Sequence, residues 1–212
     1  MRWPQGPAPK VLLIDIGDVV IHDPRPKVVR AILRRDRLNP RKLREAYYRV
    51  VRRLDTGSIG LGDAYSALRR TFRWSISFHE FRQLVGWDSL EAIPQVLPAL
   101  RALHRKGTVR VLYASDIERV TWELLCRKFH LNDCADGAVL SFRVRSMKPG
   151  RRFFRAALRM ARATPSEVVF LDDRAENVRG ARALGIRARR VRSSQDTLEV
   201  LRALGEPVRS RR

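Results

Sequence analysis

The stretch VLLIDIGDVV carries two carboxylates directly after an apolar run. The run is typical of a buried parallel strand, with Asp15 at its carboxyl end and Gly17 and Asp18 in the turn that follows. A second acidic group lies in FLDD, where Asp172 and Asp173 are adjacent at the end of another apolar run. Neighbouring carboxylates repel each other unless a cation is present. The pattern therefore predicts a hard divalent ion, and magnesium is the expected one.

Other polar residues with chemical potential follow further apolar segments. Ser115 and Asp116 come directly after VRVLYA, Lys148 lies in SMKPG, and Asn177 lies in DDRAENV. An ammonium group such as that of Lys148 can offset the repulsion between neighbouring carboxylates. Taken singly, these residues have ordinary alternatives, since Ser115 could cap a helix and Lys148 could lie in a surface turn.

Five segments have the composition of strands. Strong signals cover residues 11–15, 109–115 and 167–173, and weaker signals cover Ala138–Ser141 and Ile186–Val191. Helical patterns follow the second and third strong strands. This alternation predicts an α/β fold with a doubly wound, Rossmann-like parallel sheet covered on both faces. Ligands of such sheets bind beyond the carboxyl ends of the strands, so the polar residues there should lie together.

The segment between the first two strong strands has a helical period. Asn39 followed by Pro40 predicts a helix start, and the apolar residues of RKLREAYYRVVRRL fall on one face of that helix. Ser77 and Glu80 have the spacing of a capping box. A further helix is predicted at 93–106, leading back to the sheet.

These signals predict a division of the chain into two units. Residues 10–21 and 91–205 form the α/β core, and residues 22–90 form an α-helical cap inserted after the first strand. Residues 206–212 are expected to be a disordered basic tail.

Composition limits the class of protein. The 44% hydrophobic content of the 212 residues can fill a core. No apolar run reaches the ~18 residues of a membrane span, and MRWPQGPAPK lacks the long apolar segment of a secretion signal. We therefore expect a soluble, cytoplasmic protein without a membrane partner. Cys126 and Cys134 have neither CxxC nor metal-ligand spacing, which predicts two reduced thiols.

The charge is strongly positive. Lysine and arginine number 44 against 22 acidic residues, giving a net charge of +22. The arginines are spread along the whole chain rather than clustered. This favours non-specific affinity for polyanions and argues against a nucleic acid as a specific partner. Nothing in the sequence indicates an oligomeric state.

Four segments, in this order, resemble the motifs of the haloacid dehalogenase-like hydrolase superfamily: DIGDVV, ASD, SMKPG and FLDDRAENVRGARALG. The resemblance covers roughly residues 10–205. It is greatest to the α-D-glucose-1-phosphate phosphatase-like branch, whose first motif reads aspartate, any residue, glycine, asparagine, valine. In this chain Asp18 stands in the place of the asparagine. The resemblance implies a magnesium-dependent phosphatase that acts on a small phosphorylated substrate.

The resemblance also implies roles for individual residues. Asp15 would attack phosphorus and form an aspartyl phosphate. Magnesium would be held by Asp15, the backbone carbonyl of Gly17, Asp172 and Asp173, with Asp173 as the better candidate for direct coordination.

Around this centre the resemblance implies roles for four further residues. Ser115 would hydrogen-bond the phosphoryl oxygens, and Lys148 would supply a fixed cation to the phosphate and to the nucleophile. Asp116 would contribute to substrate binding, and Asn177 would support the site.

The first motif departs from most of the family. Gly17 stands where a second aspartate usually protonates the leaving group, and losing such a group typically removes a factor of about 10² to 10⁴. Three explanations compete: a phosphatase with a good leaving group such as a glycosyl or acyl phosphate, a dehalogenase, or a protein that binds a phosphorylated ligand without turnover. The metal carboxylates argue against the dehalogenase. Asp18 could replace the missing acid, although one residue further along a tight turn should aim it elsewhere.

Three smaller departures accompany the change at Gly17. Asp116 replaces a common asparagine, Arg145 replaces a glycine, and Gly150 replaces an acidic residue that often follows Lys-Pro. Arg145 predicts either a rebuilt loop or a new phosphate contact. Substrate choice should depend on the cap. Several polar and aromatic residues there could either contact the ligand or pack in the helices, and ordinary packing is the commoner role: His22, Asp23, Tyr47, Tyr48, Trp74, His79 and Trp87.

Overall fold

The fold is seen in a computed structural model that describes residues 7–23, 30, 33–34, 39–84 and 90–206. Its centre is a five-stranded parallel sheet. The strands are β1 Val11–Ile14, β2 Arg110–Ser115, β3 Gly137–Leu140, β4 Val168–Asp172 and β5 Arg187–Arg190. Their order in the sheet is β3-β2-β1-β4-β5, and the predicted α/β, Rossmann-like fold is confirmed.

Strand β1 lies in the middle of the sheet. Val11 pairs with Arg110 of β2 on one side and with Val168 of β4 on the other. All four residues of β1 are buried, which agrees with the uninterrupted apolar run in the sequence. This register places the carboxyl ends of β1, β2 and β4 at one edge of the sheet.

Helices cover both faces of the sheet. The described helices are α1 Pro40–Asp55, α2 Leu61–Phe72, α3 Phe78–Leu84, α4 Val96–Lys106, α5 Arg119–Phe129, α6 Ser141–Val144, α7 Arg151–Ala161, α8 Ala175–Arg182 and α9 Ser194–Gly205. Helices α4, α5 and α9 pack on the face that carries Leu12 and Ile14, while α7 and α8 pack on the face that carries Val11 and Leu13.

Helices α1, α2 and α3 share a separate apolar cluster. The predicted helix start is confirmed, because Asn39 Oδ1 accepts the N–H groups of Arg41 and Lys42. The capping box is also confirmed, since Ser77 and Glu80 exchange side-chain to backbone hydrogen bonds of 2.8 and 3.1 Å. The cluster consists of Leu43, Tyr47, Tyr65, Leu68, Trp74, Ile76 and Phe81.

Some predictions fall on parts of the chain without a description. Residues 24–29, 31–32, 35–38 and 85–89 of the predicted cap and residues 207–212 of the predicted tail lie outside the described residues. The division into core and cap therefore stays a prediction. None of the described helices combines the length and the hydrophobicity that crossing a bilayer requires.

Candidate active site

The loop after β1 presents Asp15 at the edge of the sheet. Its N–H donates to the carbonyl oxygen of Leu171 in β4, and its Oδ1 atom accepts the N–H of Ile16 at 2.7 Å. Asp15 is only 7% exposed. Asp18, in contrast, is exposed, has a φ of 52°, and accepts the N–H of Asp23 at 2.9 Å. The carboxylate of Asp18 therefore stabilises the turn.

Lys148 joins the ends of β1 and β4. Its Nζ atom lies 2.8 Å from Asp15 Oδ1 and 2.7 Å from Asp172 Oδ2, and its side chain is 1% exposed. Burial lowers the pKa of Lys148, but the carboxylates of Asp15, Asp172 and Asp116 together raise it above its ordinary value. Lys148 is consequently a permanent cation at neutral pH.

The three carboxylates at this edge carry more negative charge than Lys148 can balance. Burial raises the pKa of Asp15 from 3.8 to about 8; Lys148 opposes this rise and Asp172 adds to it. Burial, followed by the charges of Asp172 and Asp18, raises the pKa of Asp173 from 3.8 to about 6. A divalent cation would remove this excess charge.

Asp172 is fixed by donors from the start of α8. Its Oδ1 accepts the N–H of Arg174 at 2.8 Å, and the amide of Asn177 lies 3.0 Å from each of its two oxygens. Asp172 and Asn177 are both fully buried. Asp173 is half-buried, and its carbonyl oxygen accepts a hydrogen bond from Arg190.

The acidic side chains lie close enough to share one ion. Asp15, Asp172 and Asp173 each offer an oxygen atom, and these atoms all lie within 4.8 Å of one another. Carboxylate oxygens are the ligands that magnesium prefers. The donor set therefore fits a hard divalent cation, and the structure brings together the three side chains that the sequence assigned to it.

Contacts on both sides position the loop that carries Lys148. Asp116 Oδ1 accepts the backbone N–H of Lys148 at 3.0 Å, and the Lys148–Pro149 peptide bond is cis. On the other side, Gly180 of α8 packs against Pro149. A Cβ atom on Gly180 would lie 2.6 Å from Pro149 Cβ and 2.7 Å from its carbonyl oxygen. Only glycine allows α8 to approach this loop so closely.

Arg145 and Gly150, which depart from the family pattern, lie on either side of Lys148. Arg145 ends α6 with a φ of 50°, donates its N–H to the carbonyl oxygen of Ser141, and has an exposed side chain. An arginine therefore adopts the left-handed conformation that is easiest for glycine. At Gly150, a Cβ atom would lie 2.7 Å from the carbonyl oxygen of Met147, so an acidic side chain would require a shift.

A cavity of about 110 Å³ begins at this edge of the sheet. Gly17, Ser115 and Asp116 lie in its wall, and helices α1 and α2 form much of the rest. Among the candidate cap residues, His22, Asp23 and Tyr47 line this cavity. The others do not: Tyr48 and His79 are exposed, Trp74 packs in the cluster of the helices, and Trp87 lies outside the described residues.

Ser141 is a polar residue at the sheet edge that the sequence analysis did not single out. Its hydroxyl accepts the N–H of Ile117 at 2.9 Å and donates to the carbonyl oxygen of Asp55 at the end of α1. Ser141 thereby connects α1 to the loop after β2. The sequence does contain a signal for this role, because Ser141 stands at the end of the weak strand segment Ala138–Ser141 just as Ser115 stands at the end of the strong segment 109–115.

Comparisons with known proteins agree with this geometry. A family model for haloacid dehalogenase-like hydrolases matches residues 9–185. Drimenol cyclase drtB from Aspergillus calidoustus is 26% identical over 181 residues, which are 84% of this chain and 33% of that protein. The chain thus spans about a third of the length of this curated relative.

Solved structures share the fold. The magnesium complex of the HAD family enzyme bt-2542 from Bacteroides thetaiotaomicron superposes with a TM-score of 0.79 at 22% identity, covering 92% of this chain and all of that one. A predicted HAD-like hydrolase from Porphyromonas gingivalis gives 0.71 at 16% identity, covering 93% and 98%. L-2-haloacid dehalogenase from Xanthobacter autotrophicus gives 0.63 at 18% identity, covering 90% and 81%.

Proposed function

Because the chain belongs to the haloacid dehalogenase-like hydrolase family, we propose that it is a magnesium-dependent phosphatase that hydrolyses a small phosphorylated metabolite through an aspartyl phosphate at Asp15. One observation carries the proposal: Asp15, Asp172 and Asp173 converge within 4.8 Å, and Lys148 contacts the first two. We further assign the chain to the α-D-glucose-1-phosphate phosphatase-like branch, because Gly17 and Val19 follow Asp15 in the spacing of that branch.

Magnesium would be held by Asp15, Asp172, Asp173 and the carbonyl oxygen of Gly17. When bound, it supplies positive charge that stabilises the phosphoryl oxygens and the attacking carboxylate. Support comes from bt-2542, which shares the fold and has been solved as a complex with magnesium and inorganic phosphate.

The protein's own groups would act on the phosphoryl transfer in distinct ways. The N–H of Ile16 and the ammonium of Lys148 both bind Oδ1 of Asp15, which fixes the orientation of the nucleophile. Lys148 also places a positive charge where negative charge accumulates on the transferred group. Ser115 would donate its hydroxyl proton in a hydrogen bond to a phosphoryl oxygen. Water then hydrolyses the aspartyl phosphate.

The absence of an acid at Gly17 limits the leaving group. A glycosyl or acyl phosphate expels a weakly basic group, so its departure needs little protonation. We therefore place the substrate among phosphates with good leaving groups. Asp18 is an unsuitable replacement, because it is exposed and accepts the N–H of Asp23.

The test is the substitution Asp15→Asn, with p-nitrophenyl phosphate as substrate in the presence of magnesium. Turnover should disappear while the circular dichroism spectrum and the folded state persist. Asp63→Asn, at the exposed first turn of α2, is the matched control and should retain activity. Turnover by Asp15→Asn at the wild-type rate would overturn the assignment of the nucleophile.

Gly17 also favours a second candidate function, a protein that binds a phosphorylated ligand without turning it over. Such a protein would be stabilised by ligand but would release no phosphate, with or without a chelator. A dehalogenase would release chloride from 2-chloropropionate in the presence of a chelator. The phosphatase should release phosphate only with magnesium, so one set of assays separates the three activities.

A further inference from the structure

One segment holds more positive charge than the wide spread of arginines along the chain suggests. Residues 137–166 contain seven arginines and one lysine but no aspartate or glutamate, so these residues carry 8 of the 22 net positive charges. Lys148 is buried between two carboxylates, whereas each of the seven arginines is exposed. The exposed charge of this segment is therefore not balanced within the segment itself.

Helix α7 and its C-terminal cap gather five of these arginines on one side. An α-helix has 3.6 residues per turn, so the five positions fall within an arc of about 100°. The opposite side of α7 packs in the core through almost fully buried residues: Phe153, Phe154, Ala157 and Ala161. We call the exposed set the arginine face, and it consists of Arg151, Arg152, Arg155, Arg159 and Arg162.

The neighbours of α7 do not neutralise the arginine face. None of its five side chains forms an ion pair with a residue that the structure describes. Among the elements in closest contact with α7, which are β2, β3, α6 and α8, only α8 carries an acidic residue. That residue, Glu176, is already paired with Arg174 at 2.6 Å. Within the described part of the chain, the charge of the arginine face is therefore unbalanced.

The arrangement is unfavourable for the helix that carries it. Arg155 lies four residues from both Arg151 and Arg159, and like charges at this spacing destabilise a helix. Arg151 and Arg152 stand in the first turn, which has no acidic residue, although the helix dipole favours negative charge there. A surface that only has to be solvated usually mixes both signs of charge. Local rules are broken in this way mainly where a protein binds something.

We propose that the arginine face binds the phosphate backbone of duplex DNA without reading its sequence. From Arg151 to Arg162 the helix rises by about 16 Å, and one DNA strand carries a phosphate every ~3.4 Å along its axis, so about five phosphates match the five arginines. Guanidinium groups suit this contact because their planar N–H donors bind phosphate oxygens in pairs. The inference goes beyond the proposed phosphatase function and does not depend on it.

An anionic bilayer is the competing partner and fits the arginine face less well. Helices that lie on membranes insert large apolar side chains such as Trp, Phe and Leu between the lipids. The two phenylalanines of α7, Phe153 and Phe154, are fully buried in the core. Met160 is the one large apolar residue of α7 that is exposed, at 42%. The helix thus presents charge without the apolar surface that would anchor it in a membrane.

The first test measures binding of a fluorescein-labelled DNA duplex of about 20 base pairs by fluorescence anisotropy in magnesium-free buffer. Five phosphate contacts predict a slope of about −4.5 for the logarithm of the association constant against the logarithm of salt concentration, which is a loss of roughly 500-fold between about 50 and 200 mM salt. A second duplex with a shuffled sequence should bind equally. Absence of binding at 50 mM salt would overturn the proposal.

The second test compares two variants with the same change in net charge. Removing four arginines of the face should reduce the salt slope to about −0.9, because one contact remains. Removing four exposed arginines of α1 and α2 should leave the slope near that of the wild type. Equal losses in both variants would show that net charge alone attracts DNA and would refute the assignment to α7. The first variant combines Arg151→Gln, Arg155→Gln, Arg159→Gln and Arg162→Gln. The second combines Arg41→Gln, Arg44→Gln, Arg52→Gln and Arg69→Gln.

Two further measurements separate binding from folding and from lipid affinity. The α7 variant should melt at the same temperature as the wild type or higher, because the substitutions remove repulsion between like charges. A lower melting temperature would mean that the arginines serve the fold and would contradict the proposal. Vesicles of phosphatidylserine and phosphatidylcholine test the competing partner in a sedimentation assay. Binding to these vesicles without binding to the duplex would also overturn it.

Discussion

The close contact between α8 and the loop of Lys148 allows a sharp prediction for Gly180→Ala. The new Cβ atom would lie 2.6 Å from Pro149 Cβ, whereas an ordinary contact begins at 3.4 Å, so helix and loop must separate by about 0.8 Å. Overpacking of this kind costs about 1–3 kcal/mol, and the gain from replacing a helical glycine by alanine returns up to about 1 kcal/mol. The variant should therefore be less stable than the wild type.

A matched control isolates the clash from the change in helix propensity. Gly62 lies in α2, and a Cβ atom there would meet nothing within 4 Å. Gly62→Ala should therefore be neutral or stabilising by up to about 1 kcal/mol. The difference in unfolding free energy between the two alanine variants then reports the clash, and urea unfolding should give about 1–3 kcal/mol.

The same displacement should reduce activity. The Nζ atom of Lys148 lies 2.8 Å from Asp15 and 2.7 Å from Asp172, and a shift of about 0.8 Å would stretch one of these contacts beyond hydrogen-bond range. Misplacement of catalytic groups by ~1 Å can cost about 10²-fold in rate. Phosphate release by Gly180→Ala should fall by roughly 10- to 100-fold. Equal stability and equal turnover in the Gly180 and Gly62 variants would refute the reasoning.

Further predictions concern charge and helix capping. Lys148→Met leaves two buried carboxylates without their cation and should cost about 3–5 kcal/mol in urea unfolding at pH 8 without metal. The cost should be smaller at pH 5, where Asp15, whose pKa burial raises to about 8, is protonated; equal losses at both pH values would contradict this. The raised pKa of Asp15, about 8 against 3.8, means that the metal-free folded state binds the extra proton between these values, so its stability should fall as pH rises through this window. Magnesium binding needs ionised Asp15 and Asp173, so adding magnesium should raise the melting temperature of the protein more at pH 8 than at pH 6, and the reverse order would count against the site. Asn39→Ala removes the cap of α1 and should cost about 1 kcal/mol without changing kcat for phosphate release, and a large loss of turnover would contradict this.

The sequence predicts the parts of this molecule that follow from local rules. The apolar runs before Asp15 and Asp172 indicate buried strands because both faces of a parallel sheet are covered, and strand direction then gathers their terminal carboxylates at one edge. Asn39 and Ser77 mark helix starts because their side chains satisfy N–H groups that the helix leaves free. Each of these predictions depends on residues that are close in the chain.

Contacts between distant residues are harder to predict. Asp116 accepts the N–H of Lys148, which is 32 residues away, and nothing near either residue indicates that contact. Gly180 reads as an ordinary helical glycine until Pro149 is found against it. Ala64 has the spacing of a buried helix residue, but in the structure it also lines the cavity at the sheet edge. In each case tertiary packing, which local patterns do not encode, decides the role.

The central position of β1 has a consequence for biosynthesis. Val11 leaves the ribosome first, but its partner Arg110 is 99 residues later and its partner Val168 is 157 residues later. At a translation rate of roughly 5–20 residues per second, the second partner appears about 8–30 s after the first strand. Throughout that interval the nascent chain exposes an apolar segment with a free edge, which makes it a target for chaperones and for aggregation.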